Sequence, residues 1–302
     1  MKFKDKLLSA AETNKSWLCV GLDPDPAQIP KLFGKGAKGV GKFCQAVIEA
    51  TSDLVCAFKP NAAFFEALGS EGWDILIETV QAVPANIPVI FDCKRGDIGN
   101  TAQMYAKSAF EIVGADAVTL SPYLGKDSIE PFLKYQDKGA FILCLTSNPS
   151  AAELQKKIIL LDEPPSGEYL SPQSKAKTFA EFFKISTSEL YLFVARQALD
   201  WNMQDNIGLV VGATSPDELL SVRKLIGNEI PILIPGVGSQ GGDLEKSVDN
   251  GSNSNGALAI VNISRAIIYA DADDGFKNGV RRSAEAYRDR INEAIYKKIG
   301  RR

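Results

Sequence analysis

At 302 residues the chain is long enough for one α/β barrel or for two smaller domains. Its 34 basic and 37 acidic residues nearly cancel, which argues against a general nucleic-acid binder, since that role calls for a basic stripe. There is no histidine, so proton chemistry near neutral pH falls to lysine, carboxylates, tyrosine, cysteine or water.

Residues 1–8 lack the apolar core of a signal peptide, and no later apolar run is long enough to span a bilayer. From there, short apolar, β-branched runs predict strands at 17–21, 54–58, 88–91, 117–120, 141–145, 207–211, 230–234 and 257–261. Helical patterns fall between them, near 38–52, 70–82, 100–113, 126–136, 187–203, 215–226 and 241–249, with a last one near 278–298. Thr214-Ser215-Pro216-Asp217-Glu218 reads as a helix start, with a hydroxyl cap, an early proline and acids against the dipole. Eight strand–helix units in strict alternation predict an α/β fold, a (β/α)₈ barrel, rather than an open doubly wound sheet. The expectation is one domain over residues 1–302. Residues 148–185, between the fifth strand and its helix, form an insertion within it. A surface insertion is the plain reading of that segment, and a lid or dimer contact over the barrel mouth the sharper one. Its ends, 151–160 and 176–184, could each form a short helix.

Five cysteines, none at CxxC spacing, mostly sit in apolar runs and read as small hydrophobes, so neither metal ligation nor disulfides are expected. A reduced, cytoplasmic protein without membrane contact is the consistent reading.

In a barrel the strand C-termini and the loops after them build the active site. The first strand ends in Asp23, the second in Lys59-Pro60-Asn61, the fifth in Ser147. The third runs into Asp92-Cys93-Lys94-Arg95-Gly96-Asp97. Strand alternation makes Asp92 and Lys94 project the same way, a carboxylate beside an ammonium. A lysine such as Lys59, closing an apolar strand inside a barrel, needs an anionic partner. Asp97 alone could simply cap the helix that follows. The seventh strand leads into Pro235-Gly236-Val237-Gly238-Ser239-Gln240-Gly241-Gly242, and the eighth into Asn262-Ile263-Ser264-Arg265. Glycines there let backbone N–H groups approach an anion ahead of a helix N-terminus, and Arg265 can add a bidentate guanidinium. The Gly-Lys-Ser/Thr ending of a P-loop is missing.

With these residues in place, the chain resembles the orotidine 5′-monophosphate decarboxylases, in particular their longer bacterial branch. The resemblance runs from Val20-Gly21-Leu22-Asp23-Pro24-Asp25 to Val261-Asn262-Ile263-Ser264-Arg265. Its most specific pieces are Phe58-Lys59-Pro60-Asn61-Ala62-Ala63-Phe64-Phe65-Glu66, Asp92-Cys93-Lys94-Arg95-Gly96-Asp97-Ile98-Gly99 and the glycine-rich loop. It implies cofactor-free decarboxylation of orotidine 5′-monophosphate to the uridine nucleotide, the last step of de novo pyrimidine synthesis. In that scheme Asp92 faces the substrate carboxylate and Lys94 protonates the carbon that CO₂ leaves. Lys59 holds Asp92 and, like Asp23, reaches a ribose hydroxyl. Ser147 bonds the pyrimidine edge, while Gln240 and Arg265 hold the 5′-phosphate. Asn61, Pro235 and Gly238 join the substrate-binding set. The resemblance also implies a homodimer in which Asp97, with Thr101 behind it, completes the neighbouring site.

Three rivals follow from the same residues. A magnesium-dependent sugar-phosphate decarboxylase or aldol-type lyase of the same barrel superfamily shares the D-x-K-x-x-D spacing. A Schiff-base enzyme would use Lys59 or Lys94 as nucleophile. A non-catalytic sensor of phosphorylated ligands would have no use for a lysine set between two aspartates.

Overall fold

The computed structural model describes residues 1–161, 186–238, 241–272 and 275–301. Ten strands occur among them: β1 (Leu18–Leu22), β2 (Ala57–Pro60), β3 (Ile90–Arg95), β4 (Ala117–Leu120), β5 (Gly139–Leu145), β6 (Ile158–Leu160), β7 (Thr187–Glu189), β8 (Ile207–Val211), β9 (Ile232–Ile234) and β10 (Ala259–Ile263). Eight of them form one parallel sheet in the order β2-β1-β10-β9-β8-β5-β4-β3. Bridges Phe58–Val89 and Asn61–Asp92 join its two outer strands and bring the sheet round on itself. Helices alternate with these strands, so the expected (β/α)₈ barrel is the fold.

Several strands extend further toward the mouth than hydrophobicity suggests: β2 takes in Lys59 and Pro60, and β3 continues to Arg95. Pairing with β1 continues through Lys59 and Pro60, and β3 regains its partner at Arg95–Leu120 after a break in register. Side chains alternate between two cores. Leu18, Val20, Phe58, Val118 and Ile142 face outward against the helices. Cys19, Ala57, Ile90, Ala117, Phe141 and Ile260 face into the barrel.

The sequence reading passed over a helix at Phe3–Thr13. Its Phe3, Leu7 and Ala11 pack into the inner core, with Phe3 edge-to-face on Phe141 at 5.7 Å between ring centroids. The barrel floor is therefore closed by apolar packing, with the Lys6–Asp116 ion pair at 2.8 Å beside it.

The fifth connection differs from expectation. The segment 151–160 is helical only at Ala151–Leu154; its far end is β6, paired antiparallel with β7 through Ile158–Glu189 and Leu160–Thr187. The apolar, β-branched run Ile158-Ile159-Leu160 suits a ribbon better than a helix. The following helix accordingly begins at Leu190 and not at 187. The other expected short helix, 176–184, lies outside the described residues.

Candidate active site

Strand periodicity explains why distant residues converge. Ala57, Ile90, Ala117, Phe141 and Ile260 form the inner core, so the next inward position on each strand is two residues on. Those positions are Lys59, Asp92, Thr119, Leu143 and Asn262, and all line a cavity of about 430 Å³ at the mouth. Asp23, Asn61, Lys94, Ser147, Pro235 and Arg265 line the same cavity.

Asp92 is its electrostatic centre. Lys59 Nζ donates to Oδ2 at 2.7 Å and Lys94 Nζ donates to Oδ1 at 2.7 Å. Lys59 and Asp92 are nearly enclosed, with side chains 4% and 12% exposed, whereas that of Lys94 is 51% exposed at the mouth. Burial alone would raise the Asp92 carboxyl, but the two lysines outweigh it and hold it well below the usual carboxylate range. Burial likewise opposes charge on Lys59, and Asp92 and Asp23 together reverse that, lifting its ammonium above the ordinary lysine value. Removing one member of such a pair typically costs about 3–5 kcal/mol, because the other stays buried and charged.

The linkage has a definite sign. Asp92 is depressed in the folded state, so its stabilisation is complete above the unfolded carboxylate value of about 3.9 and is lost as pH falls through and below that range. Lys59 is the mirror case, its share fully present below an unfolded value of about 10.4 and lost as pH rises through the folded value. Urea unfolding at pH 3, 5 and 7 should therefore show wild type exceeding Asp92→Asn by equal margins at pH 5 and 7 and by a narrower one at pH 3. A margin unchanged at pH 3 would contradict the assignment.

Lys94 reaches Asp92 by a different route from a plain pleat. It sits in a bulge of β3 with φ +46°, a left-handed conformation that costs an L-residue about 1–2 kcal/mol. Strained backbone of this kind concentrates at functional positions.

Asp23 lines the cavity, and its Oδ1 is buried with no hydrogen-bond partner among the described residues. Its turn is fixed by Tyr269, whose hydroxyl accepts from Asp25 N–H at 2.7 Å and donates to the Asp23 carbonyl at 3.0 Å. Asn61 Oδ1 accepts from Ala63 N–H at 3.2 Å, capping the short helix Ala62–Glu66 from the cavity wall. The expected hydroxyl cap does not form: Ser215 stands at the N-cap of the helix Pro216–Ile226 without a side-chain cap bond, while Thr214 donates its hydroxyl to the Ser147 carbonyl at 3.1 Å and so braces the fifth-strand loop. A methyl group on Gly212 would lie 2.7 Å from Ser147 Cα, so that approach requires glycine.

At the opposite wall the loop after β9 folds back on itself. Gly241 N–H donates to Gly238 O and Gly242 N–H to Gly236 O, with φ +98° at Gly236 and +79° at Gly238. Gly238 lies just beyond the cavity-lining residues Pro235, Gly236 and Val237. Gln240 lies outside the described residues. The next helix starts at Leu244, not 241, and Asp243 caps it by accepting from Lys246 N–H at 3.0 Å. Part of that N-terminus is thus already occupied by a carboxylate, while Pro235, Gly236, Val237 and Arg265 line the cavity.

Asp97 and Thr101 do not line the cavity of their own chain. Asp97 Oδ1 accepts from the N–H of Ile98 at 2.8 Å, and the helix Gly99–Lys107 that follows has no side-chain cap. Thr101 borders a separate pocket with Trp73, Cys93, Arg95 and Tyr105. The sequence reading overlooked Thr119 and Leu143 as cavity residues and named Asn262 only as part of the eighth strand's end. Counting by twos from an inward residue would have found them, since Thr119 is the one hydroxyl in the apolar run Ala117-Val118-Thr119-Leu120.

Comparison with known proteins places these features in context. The model of the orotidine 5′-phosphate decarboxylase / HUMPS family matches residues 16–275. An orotidine 5′-phosphate decarboxylase of Roseiflexus castenholzii is 47% identical over 296 residues, covering 98% of this chain and 99% of its own. One from Dehalococcoides mccartyi is 48% identical over 292 residues, covering 97% and 98%. Among solved structures, Leishmania donovani OMP decarboxylase superposes with a TM-score of 0.78 at 37% identity, covering 98% of this chain and all of its own.

Proposed function

The chain belongs to the orotidine 5′-phosphate decarboxylase / HUMPS family, and from that premise we infer how its cavity works. It is a carboxy-lyase that converts orotidine 5′-monophosphate to uridine 5′-monophosphate in pyrimidine biosynthesis. The observation that carries the residue assignment is the Lys59–Asp92–Lys94 array, one carboxylate held between two ammonium groups at 2.7 Å each.

Loss of CO₂ from the pyrimidine breaks the bond between C6 and its carboxylate and leaves the electron pair in the ring plane, where no π-system absorbs it. A fixed ammonium at that point stabilises the charge without reorganising, then gives its proton to C6. Lys94 is that group, and it recovers a proton from water. Asp92 fixes the ammonium and faces the substrate carboxylate as it departs. Lys59 and the unpartnered Asp23 oxygen take the ribose hydroxyls. Asn61 shapes the same wall, and Ser147 meets the amide edge of the base. Pro235, Gly238, Gln240 and Arg265 bind the phosphate, whose contacts supply energy for alignment at the reacting carbon.

Each Asp92 oxygen already accepts from an ammonium, so a divalent cation there would face two positive charges. That disfavours a magnesium-dependent lyase. Lys59 held above its ordinary value makes a poor Schiff-base nucleophile.

Asp97 and Thr101, turned away from their own cavity, complete the site of a second copy. Beside them Ile98 and Met104 expose 58% and 59% of their surface, apolar area suited to a twofold interface. We read the chain as one domain with 148–185 inserted, working in the cytoplasm as a homodimer. Its five buried, unpaired cysteines suit a reducing compartment, and no helix among the described residues is long and apolar enough to cross a membrane.

The test is the ultraviolet absorbance lost as orotidine 5′-monophosphate is consumed, with and without excess EDTA. Equal rates are expected. Activity that needs added magnesium would overturn the reading.

A further inference from the structure

We propose that Thr119 is a positioning residue for Lys94, its hydroxyl replacing a ladder partner that the β3 bulge removes. The proposal rests on the reading of Lys94 as the proton donor. Pairing runs from Phe91–Val118 directly to Arg95–Leu120, so Asp92, Cys93 and Lys94 together face the single residue Thr119. In a regular ladder the N–H of Lys94 would find a main-chain carbonyl. Here it donates to Thr119 Oγ1 at 3.0 Å. The Thr119 carbonyl is turned to the Cys93 thiol, at 3.7 Å.

A hydroxyl that accepts from Lys94 has one proton left to give. Thr119 gives it to Asp92 Oδ1 at 2.9 Å, the same oxygen that accepts from Lys94 Nζ at 2.7 Å. The result is a closed ring: Lys94 main chain, Thr119 hydroxyl, Asp92 carboxylate, Lys94 ammonium. It fixes both ends of one lysine, the root through the left-handed φ of +46° and the tip through the carboxylate. Thr119 is 1% exposed, so water cannot readily take over the lost contact. Without the hydroxyl the part-buried N–H loses its acceptor within the chain, the bulge relaxes, and Nζ moves relative to C6. Displacement of a reacting group by about 1 Å can cost on the order of 100-fold in rate.

Thr119→Val keeps the shape and removes the hydroxyl, while Thr119→Ser keeps the hydroxyl. The expected result is kcat lowered by roughly 30- to 100-fold in the valine variant, with affinity for uridine 5′-monophosphate within about threefold of wild type. The serine variant should return to within about fivefold of wild type, and a crystal structure of the valine variant should show Lys94 outside the left-handed region. If the valine variant does not fold, Thr119→Ala against Thr119→Ser is judged by the same criteria. Wild-type kcat without the hydroxyl, equal losses in both variants, or a loss matched by nucleotide affinity would overturn the proposal. Lys94→Ala measured alongside keeps the premise separate: its retaining activity defeats the Lys94 reading, whereas its losing activity while Thr119→Val does not defeats this inference alone.

Discussion

Lys94→Ala is expected to lose at least ~10⁴-fold in kcat, about 5.5 kcal/mol of transition-state stabilisation, while uridine 5′-monophosphate binds within about tenfold of wild type. Two effects disappear together. Proton donation by a positioned group is worth roughly 10²–10⁴-fold, and preorganised charge at a developing anion roughly 10²–10³-fold. They are not independent, since one nitrogen supplies both, so the lower product of the ranges is the safe expectation. Ground-state affinity should survive because the residues proposed for the phosphate belong to the loops after β9 and β10, across the cavity from β3. Asp92 also keeps Lys59, so the carboxylate remains charged and the pocket remains folded. Single-turnover decarboxylation and equilibrium binding of the product nucleotide, measured on the same preparation, separate the two quantities. A kcat within tenfold of wild type would remove Lys94 from the chemistry.

What could be read from the chain follows one physical rule. Hydrophobic runs located all eight barrel strands, because a parallel sheet buried on both faces leaves an almost continuous apolar trace. The same rule failed where function begins. Lys59, Asp92 and Asn262 still belong to strands, yet each hydrophobic run stops one residue short of them. Lys94 was assigned the right neighbour through period-two alternation, but the bulge that delivers it has no signature in residue type. Thr119 went unnoticed because a lone threonine in an apolar strand is compatible with ordinary β propensity. Only its register opposite the bulge makes it special, and register is a property of two strands. The helix Phe3–Thr13 was legible in principle from Phe3, Leu7 and Ala11, spaced along one face, but nothing local says that it closes a barrel floor.

Mixing Asp97→Ala subunits with Lys94→Ala subunits should restore about a quarter of wild-type activity, although each variant alone is nearly inactive. The figure follows from a twofold assembly in which each cavity takes Lys94 from its own chain and Asp97 from the other. Random exchange makes half the dimers hybrid. Each hybrid has one site with both groups and one with neither, so a quarter of all sites are intact. The geometry motivating this is that Asp97 leaves β3 on the far side of the bulge, its carboxylate engaged with Ile98 N–H and absent from the cavity that Asp92 and Lys94 line. Ile98 and Met104 stand exposed beside it, on the surface that would have to meet a second copy. Exchange is followed by mass spectrometry of differently labelled chains, and activity is read at matched total protein. Full subunit exchange with no recovered activity would mean that both groups serve the same chain, and the shared site would have to be abandoned. Recovery near a quarter carries a further consequence: a dilution that separates the subunits must extinguish turnover even though every Lys59–Asp92–Lys94 array remains intact.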